Sequence, residues 1–238
     1  MTPKDIPLNE RIIFALDVDT PDEARAWVER LESHIRFYKV GLQLFLAGWW
    51  NIIDWITRRD LKVMVDLKFF DIPETVALAV RQLTDRGITF ATVHGNEPIL
   101  KAAVSARGEV KILAVTVLTS FGEEDMRAMG FTGRIEDFVF YRARRALALG
   151  CDGVVSSGLE ASRLRQELGD NFLVVTPGIR PGRNIDELQD DDQKRIVTAQ
   201  AAIRNGADYV VVGRPISRAQ DPIAVVEALQ REVLASGV

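Results

Sequence analysis

Asp66, Lys68 and Asp71 lie in a stretch, VMVDLKFFDIP (63–73), that otherwise reads as a buried apolar strand. Apolar strands rarely carry charge unless it is paired or used. Successive side chains on a strand alternate faces, so Asp66 and Lys68 project from one side and Val65 and Leu67 from the other. Asp71 falls past the strand, where Pro73 begins a helix. A carboxylate and an ammonium fixed side by side in a partly dry site each support the other's ionised form, and loss of water strengthens both their coupling and their effect on a substrate. The plainer alternative is a salt bridge that merely closes one end of a barrel. Against it stands the size of the cluster, because other strand ends also carry acids and bases.

The elements that must position these groups are short and regular. Strands are predicted at 12–18, 37–41, 62–67, 90–94, 111–118, 153–156, 172–176 and 209–212, alternating with amphipathic helical stretches. Thr20-Pro21-Asp22-Glu23 carries the signature of a helix start, with Thr as cap, Pro in the first turn and Glu closing a capping box. Gly87, Gly150 and Gly206 each stand between a helix and the next strand, where a left-handed cap is expected. Alternating strands and helices imply parallel strands with right-handed crossovers, covered on both faces. Eight such units in 238 residues fit a (β/α)8 TIM barrel, a single α/β domain over 1–238 with residues 1–10 as a short N-terminal extension. No GxGxxG or P-loop follows the first strand, which argues against an open doubly wound sheet.

In a barrel, chemistry belongs at the C-terminal ends of the strands. Asp17, Lys39, Asp66, Lys68, His94, Thr119, Ser120, Arg180 and Arg214 all fall at or near such ends. Gly213-Arg214-Pro215 after the last strand offers an amide, a donor fork and a helix start, a frequent phosphate site in this architecture. The segment 177–193 adds Arg180 and Arg183 and has the length of a loop that closes over a ligand. Its run Asp190-Asp191-Asp192 reads as a solvated face or cap. His34 reads as a helix-surface residue; His94, at a strand end, is placed to touch a ligand, but reads rather as a hydrogen-bonded structural histidine.

The formal charge of −4 and a pI near 5.4 give no support to nucleic-acid or membrane-surface binding. The start lacks the features of a signal peptide and no apolar run is long enough to span a bilayer, so a cytoplasmic location is expected. Cys151 is the single cysteine, which excludes an internal disulfide and a cysteine metal cluster; its context, LGCDGVV, reads as a small buried residue. No His, Glu and Asp set has the spacing of a zinc site.

FALDV, YKVG, DLKFFDIPETV, VTVLTS, TPGIR, DDQKRIVT and GADYVVVGRPI, in this order from strand 1 to strand 8, resemble the orotidine 5'-phosphate decarboxylase family nearly end to end. The DxKxxD element is shared with a wider superfamily; together with Lys39, TPGIR, the DDQ element and VGRPI it is specific. The resemblance implies decarboxylation of orotidine 5'-phosphate to uridine 5'-phosphate without metal or cofactor. It implies Lys68 as the acid that protonates C6, Asp66 against the substrate carboxylate, and Lys39 and Asp71 completing an alternating chain of charges. Asp17 and Lys39 would hold ribose hydroxyls, Thr119 the pyrimidine, and Arg214, the Gly213 amide and Gln193 the phosphate, with Pro177 and Arg180 in a closing loop. Asp71 and Thr75 would reach into the neighbouring subunit's site, which requires a homodimer.

Two departures from the pattern stand out. His94-Gly95-Asn96-Glu97-Pro98 replaces a small glycine-rich turn, and Ala199-Gln200 stands where a proline is usual. Two rivals are weighed beside the family reading. Metal-dependent relatives of the 3-keto-gulonate 6-phosphate decarboxylase or hexulose phosphate synthase type carry an acid on strand 2, where this chain has Lys39. A catalytically silent phosphosugar- or nucleotide-binding barrel would have no need of every reactive group.

Overall fold

The computed structural model describes residues 4–182 and 195–237. Among these, eight parallel strands close into a barrel: β1 (Ile12–Ala15), β2 (Phe37–Gly41), β3 (Lys62–Phe69), β4 (Ile88–Val93), β5 (Lys111–Val115), β6 (Gly153–Val155), β7 (Leu173–Thr176) and β8 (Tyr209–Val212). Each strand pairs with its sequence neighbour, and β1 closes the ring on β8 through Ile12–Val210, Ile13–Val211 and Phe14–Val212. The barrel expectation is met, with helices between successive strands.

Strand parity sorts the side chains into two cores. Ile13, Phe37, Met64, Phe90, Leu113 and Val175 point into the barrel, and their neighbours Ile12, Tyr38, Val63, Ala91, Ile112 and Val174 pack outward against the helices. The N-terminal end of the barrel is filled by three rings from alternate strands. Phe37, Phe90 and Tyr209 meet with centroids 5.0, 5.7 and 5.2 Å apart. Gly153 on β6 lies tight against its β7 neighbour Leu173. A Cβ there would lie 2.3 Å from the Leu173 carbonyl oxygen and 2.6 Å from its Cβ.

The helix signals behave largely as their residue types require. The Thr20 side chain accepts from the Glu23 N–H at the start of Pro21–Leu31, although the Glu23 carboxylate returns to the N–H of Asp19 rather than that of Thr20. Gly87, Gly150 and Gly206 take φ of +70°, +89° and +107°, as expected of glycine caps. Asn96 caps the helix Glu97–Ala106 after Gly95 at φ +122°, which is how the unusual His94–Pro98 turn is built. Ala199 and Gln200 donate their backbone N–H groups to Glu232. A proline at 199 would have no such hydrogen to give.

Several boundaries differ from expectation. β1 stops at Ala15 rather than Val18, and β5 at Val115 rather than Leu118, because the chain there peels away to form the mouth. β3 runs two residues longer, to Phe69, and β4 begins two earlier, at Ile88. The N-terminal extension is partly helical from Leu8 and is tied under the barrel: Lys4 reaches the buried Asp208 at 2.9 Å, and Arg165 meets the same carboxylate at 2.7 Å. His34 lies in a turn, not on a helix, with Nδ1 2.8 Å from the Ser33 hydroxyl. Cys151 is buried, and burial pushes its thiol up to about 12, in keeping with a packing role. No helix among the described residues is long and apolar enough to cross a membrane.

Gly153→Ala is expected to cost about 3 kcal/mol or more, since the added methyl meets backbone rather than a yielding side chain. Urea unfolding of the variant against the parent measures it; an unchanged midpoint would show that β6 and β7 separate freely.

Candidate active site

Inward parity places charge at the C-terminal mouth. On β2, Phe37 points in, and so does Lys39 two residues later; on β3, Met64 is followed at the same parity by Asp66 and Lys68. Register sets these strands side by side, with Lys39 opposite Met64 and Gly41 opposite Asp66. The result is a chain of alternating charges. Lys39 Nζ lies 2.9 Å from Asp17 Oδ1 and 3.8 Å from Asp66 Oδ2, and Lys68 Nζ lies 3.0 Å from the same Asp66 oxygen.

Lys68 is held by an irregularity in β3. Val65 pairs with Ala91 but Phe69 with Val93, so four residues of β3 span two of β4. Lys68 takes φ +49° in this bulge, a region that side chains other than glycine rarely adopt. Thr92 on β4 secures it: its hydroxyl accepts from the Lys68 N–H at 2.9 Å and donates to Asp66 Oδ1 at 2.9 Å. One threonine therefore sets the backbone of the lysine and the orientation of the carboxylate beside it.

The electrostatics follow from this enclosure. Burial favours the neutral acid at Asp66, but Lys39, Lys68 and the Thr92 hydroxyl outweigh it, and the carboxyl is held below its usual range. Burial likewise opposes the Lys39 ammonium, and the pull of Asp66 and Asp17 overcomes it, so that amine is held above its usual range. Asp66 and Lys39 are both ionised at neutral pH. Lys39 is only 8% exposed, and its counter-ions are already in place.

The charges line one side of a cavity of about 310 Å3. Facing them are Thr119 and Ser120 from the loop after β5, Pro177 and Arg180 after β7, and Gly213 and Arg214 after β8. Gly213 lies close against the first strand; a Cβ there would approach Ala15 Cβ at 3.3 Å and Asp17 Oδ2 at 3.5 Å. Arg180, expected in a closing loop, is buried at the loop's root, with its backbone N–H on the Val197 carbonyl at 2.9 Å.

Not every expected residue joins this group. Asp71 and Thr75 are exposed and do not line the cavity; Asp71 caps its own turn through the Ile72 N–H at 2.7 Å. Gln193, Arg183 and the acidic run 190–192 lie outside the described residues. His94 does not line the cavity either: its ring stacks edge-on against Phe70, centroids 5.5 Å apart. Thr92 went unremarked in the sequence. Its only signal is parity, a polar residue two after the inward Phe90.

Residues 10–229 match the family described as "Orotidine 5'-phosphate decarboxylase / HUMPS family". The chain is 53% identical to the orotidine 5'-phosphate decarboxylase of Methylococcus capsulatus (strain ATCC 33009 / NCIMB 11132 / Bath), over 98% of this chain and 97% of that one. It is 47% identical to the enzyme of the same name from Xanthomonas oryzae pv. oryzae (strain PXO99A), over 98% and 96%. The crystal structure of orotidine 5'-phosphate decarboxylase from Lactobacillus acidophilus superposes with a TM-score of 0.81 at 34% identity, covering 94% of this chain and 99% of that one.

Burial, with the nearby charges of Arg142 and Lys68, pushes the His94 imidazole down to about 4. The unfolded chain therefore binds a proton near the ordinary 6.5 while the folded chain resists it until about 4, and stability falls as pH drops through that window. His94→Asn is expected to remove this slope. The check is the difference in unfolding free energy between variant and parent from pH 7 to 4.5, and a flat difference would refute the assignment.

Proposed function

The chain belongs to the orotidine 5'-phosphate decarboxylase / HUMPS family, and from that membership we propose how its site works. It decarboxylates orotidine 5'-phosphate to uridine 5'-phosphate and carbon dioxide, a step of pyrimidine biosynthesis. The observation that carries the reading is the run Asp17, Lys39, Asp66, Lys68 at the barrel mouth. Lys39 favours this branch over the metal-dependent relatives, because β2 carries an ammonium, paired with Asp17 and Asp66, where those relatives carry an acid.

Breaking the bond between C6 and the carboxylate leaves an electron pair on C6 with no ready sink, so preorganised charge must stabilise it. Lys68, fixed by Asp66 and the bulge, supplies the positive charge beside C6 and then its Nζ proton, which forms the new C–H bond as carbon dioxide departs. Asp66 stands next to the substrate carboxylate and keeps Lys68 ionised and aimed. Asp17 and Lys39 hold ribose hydroxyls, and Thr119 contacts the pyrimidine. Arg214, the Gly213 amide and Gln193 bind the phosphate, with Pro177 and Arg180 at the root of the loop that covers it. No metal or organic cofactor takes part. Phosphate binding, remote from C6, is then expressed in the transition state.

The active form in this reading is a cytoplasmic homodimer in which Asp71 and Thr75 complete the partner's site. Their outward position supports this, as does the exposed apolar surface around them: Phe70 is 67% and Ile72 66% exposed. Exposed large apolar groups beside a functional acid suit a protein contact.

Ultraviolet absorbance of orotidine 5'-phosphate with the purified protein in EDTA, with mass detection of the product, tests the reaction; uridine 5'-phosphate is expected. Activity that vanishes in EDTA and returns with magnesium would favour the metal-dependent relatives. Lys68→Ala is expected to lower turnover by a factor of about 10^4 or more with the circular dichroism unchanged. Mixing Asp71→Ala and Lys68→Ala protomers should recover activity through hybrids with one intact site. No recovery despite proven subunit exchange would overturn the shared site.

A further inference from the structure

Three residues of β3, Asp66, Leu67 and Lys68, fall between the paired positions Val65–Ala91 and Phe69–Val93, and only Thr92 stands opposite them on β4. Thr92 is fully buried and does not line the cavity. Its hydroxyl has one hydrogen to give, which goes to Asp66 Oδ1 at 2.9 Å, while its oxygen receives the Lys68 N–H at 2.9 Å. Branching at Cβ restricts χ1 and keeps the oxygen within reach of both partners.

The two oxygens of Asp66 are thereby given separate duties. Oδ2 receives the Lys68 ammonium at 3.0 Å and faces that of Lys39 at 3.8 Å, whereas Oδ1 is held by Thr92. Lys39 has its own anchor, on Asp17 at 2.9 Å. Lys68 is held at both ends by way of one hydroxyl: its backbone, at φ +49°, directly, and its ammonium through Asp66. A flexible four-carbon stem joins those ends, so fixing one alone would leave the other to wander. Without the hydroxyl, the Asp66 carboxylate turns about a broad χ2 and the Lys68 N–H loses an acceptor.

We propose that Thr92 is a positioning residue for the proton transfer: by tying the Lys68 backbone to the Asp66 carboxylate, it holds the Lys68 ammonium where the carbanion forms. The inference rests on the decarboxylase reading, in which Lys68 gives its Nζ proton to C6. Thr92 makes no contact with substrate in that reading. Its contribution is to the aim of the transferring N–H, so it is expressed in turnover and not in binding.

The test removes the hydroxyl at nearly constant shape. For Thr92→Val, kcat on orotidine 5'-phosphate is expected to fall roughly 30-fold, with KM and the calorimetric dissociation constant of uridine 5'-phosphate within about threefold of the parent. Thr92→Ser keeps the hydroxyl and loses only a methyl, and its kcat is expected within about threefold of the parent. A purely structural role would give the opposite order, since Ser leaves a void that Val does not. A Val variant with the parent's kcat, a Ser variant as slow as Val, or a loss carried by KM and product affinity would each overturn the proposal. If Thr92→Val does not fold, Thr92→Cys takes its place: its thiol is a weak donor, and kcat is expected roughly tenfold below that of Thr92→Ser, equal values counting against the proposal. A parent protein that forms no uridine 5'-phosphate overturns the decarboxylase reading itself; an active parent whose kcat is indifferent to the hydroxyl overturns only the role of Thr92.

Discussion

Everything at the barrel mouth depends on keeping Asp66 ionised in a place that water barely reaches. Desolvation alone would neutralise it, and only two ammonium groups and a hydroxyl keep its charge. Each of those partners is in turn held by the carboxylate. The Lys39 ammonium is stable because Asp66 and Asp17 flank it, and Lys68 is aimed because Asp66 receives it at 3.0 Å. Removing one member leaves an uncompensated charge next to the others, so the group is built to work whole.

The barrel provides what such a group needs. Parity sends every second side chain inward, and the aromatic layer of Phe37, Phe90 and Tyr209 seals the floor beneath the charges. The charged residues therefore stand on a packed, apolar base and face the cavity above it. Two features depart from regular geometry there, the bulge that turns Lys68 and the tight approach of Gly213 to β1. Both lie at the mouth, where a regular strand would aim its side chains elsewhere.

Much of this was legible in the sequence, for reasons that can be named. Strands buried on both faces are continuous apolar runs, so all eight stood out. A charge within such a run is conspicuous, which exposed Lys39, Asp66 and Lys68 and, through parity, their common face. Strand ends were less legible: where Leu16 or Thr116 leaves the sheet depends on which neighbours remain to pair with. The bulge at Lys68 was invisible because it is a property of the pairing between β3 and β4, not of either segment. Thr92 is an ordinary β-branched strand residue until Asp66 is set beside it.

The pairing of β1 with β8 bears on how the molecule comes into being. Strands β2 to β7 can each settle against a predecessor already made, but the free edge of β1 has no partner on its other side until residues 209–212 exist. Lys4 faces the same delay, since Asp208 precedes β8 by a single position. A chain emerging from the ribosome therefore carries an unclosed, curled sheet with two exposed edges through nearly its whole synthesis. Ring closure and the clasp beneath it arrive together, as a late and long-range event, so the charged mouth acquires its shape only after translation has passed the last strand.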